Sequence, residues 1–279
     1  MIAETITSLK NPKIKTLLAL QEKSRLRREK SLFPVEGRRE FFHCLESGYV
    51  PETLFLCPEI LGSMEKKIAD EALIINPDCG IEEVPAYVYA KIAFREGTEG
   101  IIAEMRSKDR TLASLELPDK PLVVVLESVE KPGNLGAVLR SADAAGADAV
   151  LICDPLTDLY NPNLIRASIG AVFTVPTVAC STGEAIKFLK DRHINILTAQ
   201  LQDSSPYYAV DMKKGTAIVM GTEATGLSVT WRMAADAHIM IPMLGKLDSL
   251  NVSVSAAILL FEAVRQSQKT SPANGEREK

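Results

Sequence analysis

The segment Leu122-Val123-Val124-Val125-Leu126 is apolar at every position. A strand with one face in water alternates apolar and polar residues, so an unbroken apolar run predicts a strand buried on both faces. Such strands occur in parallel sheets that carry helices on both sides. After Pro121, further short apolar runs alternate with helical patterns. The C-terminal half of the chain is therefore predicted to be α/β, with a parallel sheet.

The alternation continues to the end of the last helical pattern. Strands are predicted at residues 122–126, 149–153, 173–177, 194–199, 217–220 and 238–241, and helices at 135–145, 163–169, 183–191, 229–234 and 252–268.

The N-terminal part, residues 1–106, is predicted to be a smaller α/β domain. Its helices are expected within 11–30, 38–47, 64–72 and 82–94, and its strands at 53–56, 73–75 and 101–105. Residues 107–120 are polar and contain Pro118, which predicts a linker between two cores. Removal of residues 1–106 is therefore expected to leave a folded C-terminal domain, spanning 121–269. The polar tail 270–279 is predicted to be disordered.

The composition is that of an ordinary globular protein, with 46% hydrophobic and 24% charged residues in 279. No apolar run in the sequence approaches the roughly 18 residues of a membrane span, and the N-terminus does not resemble a secretory signal. The cysteines and the three histidines are scattered, without a C-x-x-C pair, which predicts a reducing, cytoplasmic location and no metal site.

The charge is unevenly distributed along the chain. The net charge is −4, yet the segment from Lys10 to Glu40 carries a local balance of +6. A basic face on an acidic protein suits a bound polyanion, although a solvated helix face gives the same pattern. The candidate phosphate contacts in this segment are Lys23, Arg25, Arg27, Arg28, Arg38 and Arg39.

Three polar motifs follow predicted strands. After residues 122–126 comes a Pro-Gly loop and a helix, with Asn134 as a candidate N-cap and Arg140 six residues further on. An arginine in so apolar a helix needs an acid or a phosphate as its partner. Because carboxyl ends of parallel strands meet at one edge of a sheet, residues from all three motifs are expected to converge there.

The second motif is Gly221-Thr222-Glu223-Ala224-Thr225-Gly226-Leu227-Ser228. Its glycines have the spacing of a P-loop, but Leu227 replaces the lysine that such a loop needs. Nucleoside triphosphate binding is therefore rejected, and no G-x-G-x-x-G follows a strand to support dinucleotide binding.

The third motif is Ser249-Leu250-Asn251-Val252-Ser253, after Ile241-Pro242-Met243. Ser249 or Asn251 can cap the helix that follows.

Together, N-L-G-A-V-L-R-S-A-D, M-G-T-E-A-T-G-L-S and I-P-M with S-L-N-V-S-V-S-A-A resemble the three motifs of the SpoU (TrmH-like) branch of the SPOUT superfamily. These proteins are RNA ribose 2′-O-methyltransferases that use S-adenosylmethionine. The resemblance covers about residues 122–268, and residues before 107 are similar in layout to the ribosomal-protein-like domain that precedes many members. It implies a trefoil-knotted catalytic domain, a homodimer and an RNA substrate. A separate docking domain favours ribosomal over transfer RNA.

The resemblance also implies roles for individual residues. Arg140 would reach the partner subunit's cofactor pocket, hold a phosphate and stabilise the developing alkoxide, with Asn134 orienting it and Glu223 positioning it or the RNA. Ser249 and Asn251 would fix the target nucleotide. The cofactor would be held at Thr198, Met220, Gly221, Ile241, Met243 and Leu250. Thr222 departs from the family, where asparagine is common. A transfer RNA substrate, or a non-catalytic RNA-binding protein on the same fold, are the alternatives.

Overall fold

The protein divides into two compact units. The computed structural model describes residues 4–94, 99–129, 131–222, 225–247 and 249–267, so the predicted tail 270–279 lies outside the described residues. The first unit comprises Met1–Asp109, Lys131–Gly136 and Thr157–Thr174, and the second Arg110–Glu130, Ala137–Leu156 and Val175–Lys279.

The first unit contains a five-stranded sheet in the order β1-β4-β3-β5-β2, in which β5 is antiparallel to both of its neighbours. One sheet face packs under α1 and α5 in an apolar core that includes Ile14, Phe55 and Ile102. The elements of this unit are β1 (Glu4–Thr5), α1 (Pro12–Glu22), α2 (Ser24–Lys30), β2 (Leu32–Glu36), α3 (Arg38–Glu46), β3 (Pro51–Leu56), α4 (Ser63–Ile75), β4 (Gly80–Glu83), α5 (Ala86–Ile92), β5 (Ile101–Arg106) and, from the later segment, α7 (Pro162–Ser168) and α8 (Ala171–Thr174).

The prediction of a strand at residues 73–75 is wrong. These residues form the last turn of α4, where the Ile74 side chain is 79% exposed. A three-residue apolar run does not distinguish a strand from the end of a helix. The strand that enters the sheet after α4 is β4, which pairs in parallel with β3 and was not predicted.

An aromatic cluster joins two chain segments of the first unit, residues 1–109 and 157–174. The Phe33 ring stacks on Tyr160 with 4.2 Å between centroids, and Tyr49 meets Phe173 edge-on at 5.1 Å. Phe173 lies in α8, so the predicted strand at 173–177 is also wrong, and the strand there begins only at Thr177. The Phe173 side chain packs in this aromatic cluster. Its apolar character therefore reflects the cluster and does not indicate a buried strand.

A buried ion pair reinforces the same cluster. Arg27 Nε lies 2.6 Å from Asp158 Oδ2, and its Nη1 donates to the carbonyl of Leu20 near the end of α1. Removing residues 1–106 would strip Asp158, Tyr160 and Phe173 of these partners. That such a truncation leaves a folded C-terminal domain stays a prediction, while the contacts show that residues 157–174 would lose their partners in the first unit.

The second unit contains a seven-stranded sheet in the order β10-β12-β9-β11-β6-β7-β8, and all of its strand pairs are parallel. The predicted parallel α/β fold is confirmed, while the knotted path of the chain stays a prediction. The elements are β6 (Leu122–Glu127), α6 (Pro132–Ala144), β7 (Ala149–Cys153), β8 (Thr177–Cys180), α9 (Thr182–Asp191), β9 (Asn195–Ala199), β10 (Ser205–Pro206), β11 (Thr216–Met220), α10 (Val229–Ala234), β12 (Ala237–Met240) and α11 (Val252–Ser267).

The segment predicted as a linker, 107–120, contributes to a core. Leu112, Leu115 and Leu117 pack against the buried cluster of the second unit that contains Val125 and Trp231. Because the segment is polar overall, its leucines were not predicted to be core residues. They are spaced two or three residues apart along the segment.

The described residues contain no helix that combines the length and the apolar character of a bilayer crossing. No group of three potential metal-ligating side chains occurs there either, and the five cysteines are free thiols.

A buried carboxyl group lies in the sheet of the first unit. Glu104 on β5 is 6% exposed, and its Oε1 atom has no hydrogen-bond partner among the described residues. Burial, followed by the neighbouring Glu52 carboxylate, raises the pKa of Glu104 to about 7.

We expect Glu104→Gln to stabilise the protein at alkaline pH. Because its pKa in the folded state exceeds the ordinary value of 4.5, ionisation of Glu104 lowers the free energy of unfolding as pH rises from about 4.5 to about 7. Glu104→Gln should therefore raise the free energy of unfolding by up to about 3 kcal/mol at pH 8 and change it little at pH 4.5.

Urea denaturation followed by far-ultraviolet circular dichroism at both pH values measures this effect. Glu46→Gln, at an exposed position of α3, is the control. Destabilisation of the Glu104→Gln variant at pH 8 would contradict this expectation, because it would show that the ionised carboxylate of Glu104 stabilises the folded protein.

Candidate functional site

A cavity of about 370 Å³ opens at the carboxyl ends of three neighbouring strands of the second unit. Ala199 ends β9, Met220 ends β11, and Ile239 and Met240 end β12. Parallel pairing in register brings these ends to one edge, which is where α/β sheets bind ligands. One face of α11 completes the wall through Val252, Ser255 and Leu259. The volume is in the range of small-molecule sites.

The loop after β11 folds tightly upon itself beside this cavity. Gly226 N–H donates to the carbonyl of Thr222 at 3.0 Å, and the Thr222 hydroxyl accepts from Thr225 N–H at 3.1 Å. A Cβ atom at Gly221 would lie 2.3 Å from the Gly226 carbonyl oxygen, so only glycine permits this closure. Gly226 has φ +66°, which also favours glycine. Thr222, the departure from the family pattern, organises the loop through its hydroxyl group.

Two side chains hold the far end of this loop. Glu127, the last residue of β6 and 8% exposed, accepts the Ser228 N–H at 2.8 Å. Arg232 on α10 donates from Nε and Nη2 to the Leu227 carbonyl at 3.2 and 3.1 Å. The loop therefore has a closed turn at its start and three charge-assisted hydrogen bonds at its end, an arrangement that favours a preformed cavity wall.

Five of the six residues predicted to bind the cofactor line the cavity, namely Met220, Gly221, Ile241, Met243 and Leu250. The sixth, Thr198, does not. It is fully buried, and its hydroxyl lies 2.6 Å from His238 Nδ1 on the neighbouring strand. The lining of the cavity begins one residue later, at Ala199.

The third motif divides between the cavity wall and the helix cap. Ser249 lines the cavity. Asn251 is the residue before α11, and its Oδ1 accepts the Ser253 N–H at 2.9 Å and the Ser253 hydroxyl at 2.6 Å. Of the two candidates for the cap, the structure therefore selects Asn251.

The first motif presents its two polar residues on different sides of one helix. The helix α6 begins at Pro132, so Asn134 lies in its first turn, and the prediction that Asn134 is the N-cap is wrong. Six residues of α-helix separate Asn134 from Arg140 by about 9 Å along the axis and about 120° around it. Asn134 and Arg140 therefore lie on different faces of α6, and the role of Asn134 in orienting Arg140 stays a prediction.

Arg140 is exposed and does not line the cavity. Within the part of the chain that the structure describes, its guanidinium makes no hydrogen bond or ion pair. The acid partner considered as an alternative for Arg140 is thus not found among the described residues. Glu223, the remaining predicted catalytic residue, lies outside them.

The basic residues predicted to bind RNA fall into two groups. Arg27 is 4% exposed and paired with Asp158, so its prediction as an RNA contact is wrong, because its charge is already neutralised inside the first unit. Arg25 pairs with Glu29 on the surface, and Arg38 lies 3.4 Å from Glu65. The exposed members that make no ion pair within the described residues are Lys23, Arg28 and Arg39.

Sequence reasoning missed several residues of the site. Gln200, Leu201 and Gln202 line the cavity directly after β9, where the same rule about strand ends could have found them. Glu127 and Arg232 lie outside the glycine loop and hydrogen-bond to its backbone. No sequence motif links these two residues to the loop, so the contacts could not be predicted.

Comparison with known proteins agrees with this geometry. A model of the SpoU rRNA Methylase family matches residues 121–261, and a model of the MRM3-like substrate binding domain matches residues 11–103. The 23S rRNA (guanosine(2553)-2'-O)-methyltransferase RlmP of Bacillus subtilis is 28% identical over 261 residues, covering 92% of this chain and 97% of that protein.

Two solved structures are similar over almost the whole chain. A crystal structure of an RNA 2'-O ribose methyltransferase is 39% identical, has a TM-score of 0.82, and covers 95% of this chain and 99% of its own. An AdoMet-bound rRNA methyltransferase from Sinorhizobium meliloti is 29% identical with a TM-score of 0.86, covering 96% and 99%.

We expect Gly221→Ala to destabilise the second unit by about 1–3 kcal/mol, because the added methyl group would displace the Gly226 carbonyl. Trp231, the one tryptophan of the chain, is buried in the core of this unit and its fluorescence reports unfolding.

Gly183→Ala is the matched control. Gly183 lies in α9, and the space that an added Cβ atom would occupy there is open, so alanine should leave stability unchanged or raise it by up to about 1 kcal/mol. Equal unfolding midpoints for both variants would show that the glycine loop accommodates the added methyl group at Gly221 without loss of stability.

Proposed function

Because the chain belongs to the SpoU rRNA methylase family, we propose that it transfers a methyl group from S-adenosylmethionine to a ribose 2′-hydroxyl of ribosomal RNA. The observation that carries this proposal is the cavity at the ends of β9, β11 and β12, walled by the closed glycine loop. The family match covers the whole of the chain segment that forms this cavity.

The residues of the cavity fit the proposed cofactor. Most lining side chains are apolar, as an adenine ring requires, and backbone groups lie at three strand ends. Gln200 on the wall has a buried Oε1 atom without a hydrogen-bond partner among the described residues. An unsatisfied acceptor is costly, and the hydroxyl or amino groups of an adenosine can satisfy it. We place the cofactor at Met220, Gly221, Ile241, Met243 and Leu250, with Gln200 added.

The sulfonium of the bound cofactor supplies an activated methyl group, and the chain must present the ribose oxygen to it. That oxygen develops negative charge as it attacks. A guanidinium group is a permanent cation in proteins and a poor base, so the proposed role of Arg140 is to hold the adjacent phosphate and stabilise the alkoxide, while the proton leaves to a phosphate oxygen or water. Ser249 on the cavity wall would position the nucleotide, and Asn251 would support it through the cap of α11. The proposal includes no metal.

The proposed enzyme is a homodimer. Arg140 does not line the cavity of its own chain, so a site that uses it takes it from a second copy. The second unit also exposes large apolar side chains, including Leu244 and Leu247 after β12, and Val254 and Phe261 on α11. Exposed large apolar side chains support an interface with a second copy.

The first unit is the proposed docking domain for the RNA. Its match to a substrate-binding domain covers the basic segment, where Lys23, Arg28 and Arg39 are exposed. Such side chains neutralise phosphates without reading sequence. The chain thus combines a binding surface in one unit with a methyl-transfer site in the other.

We expect cells that lack this protein to lose one ribosomal RNA 2′-O-methylation. The wild-type chain should restore it, whereas Arg140→Ala and Arg140→Lys should not, because a single ammonium cannot replace the planar guanidinium. Mapping of 2′-O-methyl sites in total RNA measures this. An unchanged map, or a lost site in transfer RNA alone, would contradict the proposed substrate.

Purified variants separate chemistry from binding. Arg140→Ala should retain cofactor affinity within about twofold and lose at least about 100-fold in turnover, with EDTA present throughout. Mixing it with Gly221→Ala protein should restore up to about a quarter of the activity if each site uses residues of both copies. Failure of the mixture, with exchange of subunits verified, would place Arg140 in its own chain's site.

We expect the triple variant of Lys23, Arg28 and Arg39 to Gln to weaken RNA binding and to reduce the slope of log affinity against log salt by about 2–3. The loss should be similar for different RNA sequences, because phosphates are the partners. Filter binding across a salt series measures both quantities.

The matched control replaces Lys187, Lys190 and Arg192 of the second unit by Gln. These residues lie on or next to α9, at the opposite end of β9 from the cavity. A salt slope that falls in the control and not in the first variant would place the RNA surface on the second unit.

A further inference from the structure

Arg232 is the one charged side chain among the described residues that line the cavity. It lies on α10, the helix that follows the glycine loop, and it is exposed at the rim. The remaining described lining residues are apolar, glycine, or neutral polar side chains such as Gln200 and Ser249. A single cation among the described lining residues, beside apolar and neutral polar side chains, indicates a preference for a ligand with an anionic end.

The guanidinium of Arg232 is fixed in orientation by one edge only. Nε and Nη2 both donate to the Leu227 carbonyl, at 3.2 and 3.1 Å. An arginine has five N–H donors, so this contact leaves three, two on Nη1 and one on Nη2. Within the described residues these three make no hydrogen bond. The contact with the Leu227 carbonyl therefore orients the guanidinium, and among the described residues no other acceptor occupies its outer edge, which matches a bidentate ligand.

We propose that Arg232 binds the carboxylate of the methionine portion of S-adenosylmethionine. This inference rests on the proposed function and adds the recognition of one group of the cofactor. The carboxylate is the only anionic group of that molecule at neutral pH, and its two oxygens match the free edge of the guanidinium. Placing the charged end at the rim keeps it near water, while the adenosine occupies the apolar interior, which minimises the desolvation cost.

The same geometry makes Arg232 a link between the ligand and the loop. The side chain that meets the carboxylate also holds Leu227, the residue before the cap of α10. Loss of Arg232 can therefore act through the ligand or through the loop. A test must distinguish the two routes, and also a third, in which Arg232 contacts an RNA phosphate.

Two ligands that differ only in the carboxylate provide the test. S-adenosylhomocysteine and S-adenosyl-3-thiopropylamine, its decarboxylated analogue, are titrated calorimetrically into the full-length protein. Wild-type protein should prefer S-adenosylhomocysteine by about 10- to 100-fold, the value of one charge-assisted pair. Arg232→Met should lose that preference, with weaker binding of S-adenosylhomocysteine and nearly unchanged binding of the analogue. Arg232→Lys, which keeps the charge, should retain part of it.

Arg192→Met is the matched control, because Arg192 is an exposed arginine of the same unit whose guanidinium lies over the Phe188 ring at the opposite end of β9. It should leave both affinities unchanged. Trp231 fluorescence verifies that each variant is folded.

Three results would overturn the inference. Equal losses for both ligands in Arg232→Met would mean that the residue acts only through the Leu227 loop. Unchanged affinities with a raised KM for RNA would mean that it contacts phosphate instead. Failure of the wild-type protein to bind either ligand would remove the proposed function itself and the carboxylate contact with it.

Discussion

Parallel pairing of β9 with β11 and β12 is the constraint on which the site depends. In this pairing Val219 lies opposite Thr198, and Thr198 lies opposite His238, so the three strands end within about one residue of each other. Each chain segment then leaves the sheet at the same edge and must turn there. The cavity exists because three turns and the start of α11 meet where the backbone hydrogen bonds of the sheet stop. A one-residue slip in any pair would rotate its terminal side chains to the other face.

Much of this fold could be predicted from the sequence because buried parallel strands are apolar on both faces. The residues of β6, β7 and β11 are all buried, and their positions were predicted within one residue. Prediction failed where apolar residues serve another purpose. Phe173 fills an aromatic cluster, Ile74 ends a helix, and Leu112, Leu115 and Leu117 pack on a core from a polar segment. Apolar character alone does not state which surface a side chain covers.

Those site residues could be predicted that belong to the three sequence motifs or directly follow a strand. Gly221, Leu250 and Ser249 could be found because they follow strands or open a helix, and the structure brings them to one cavity. Arg27 was misassigned because charge in a sequence does not reveal a buried partner, here Asp158, 131 positions away. Glu127 and Arg232 were missed for the converse reason: each forms a long-range or loop contact that only the folded chain creates.

The first unit is assembled from three separate stretches, the last of which ends at Thr174. During synthesis from the N-terminus, residues 1–109 emerge long before α7 and α8, yet Phe33, Tyr49 and Arg27 require partners from residues 158–173. Residues 6–102 contribute the whole of the apolar cluster that includes Ile14, Phe55 and Ile102, but the aromatic cluster and the Arg27–Asp158 pair form only after β6, α6 and β7 have also left the ribosome. Domains generally fold as units in the order of synthesis, but here completion of the first unit follows the synthesis of part of the second. A circular permutation or domain exchange that treats residues 1–106 as a detachable module would interrupt that shared assembly.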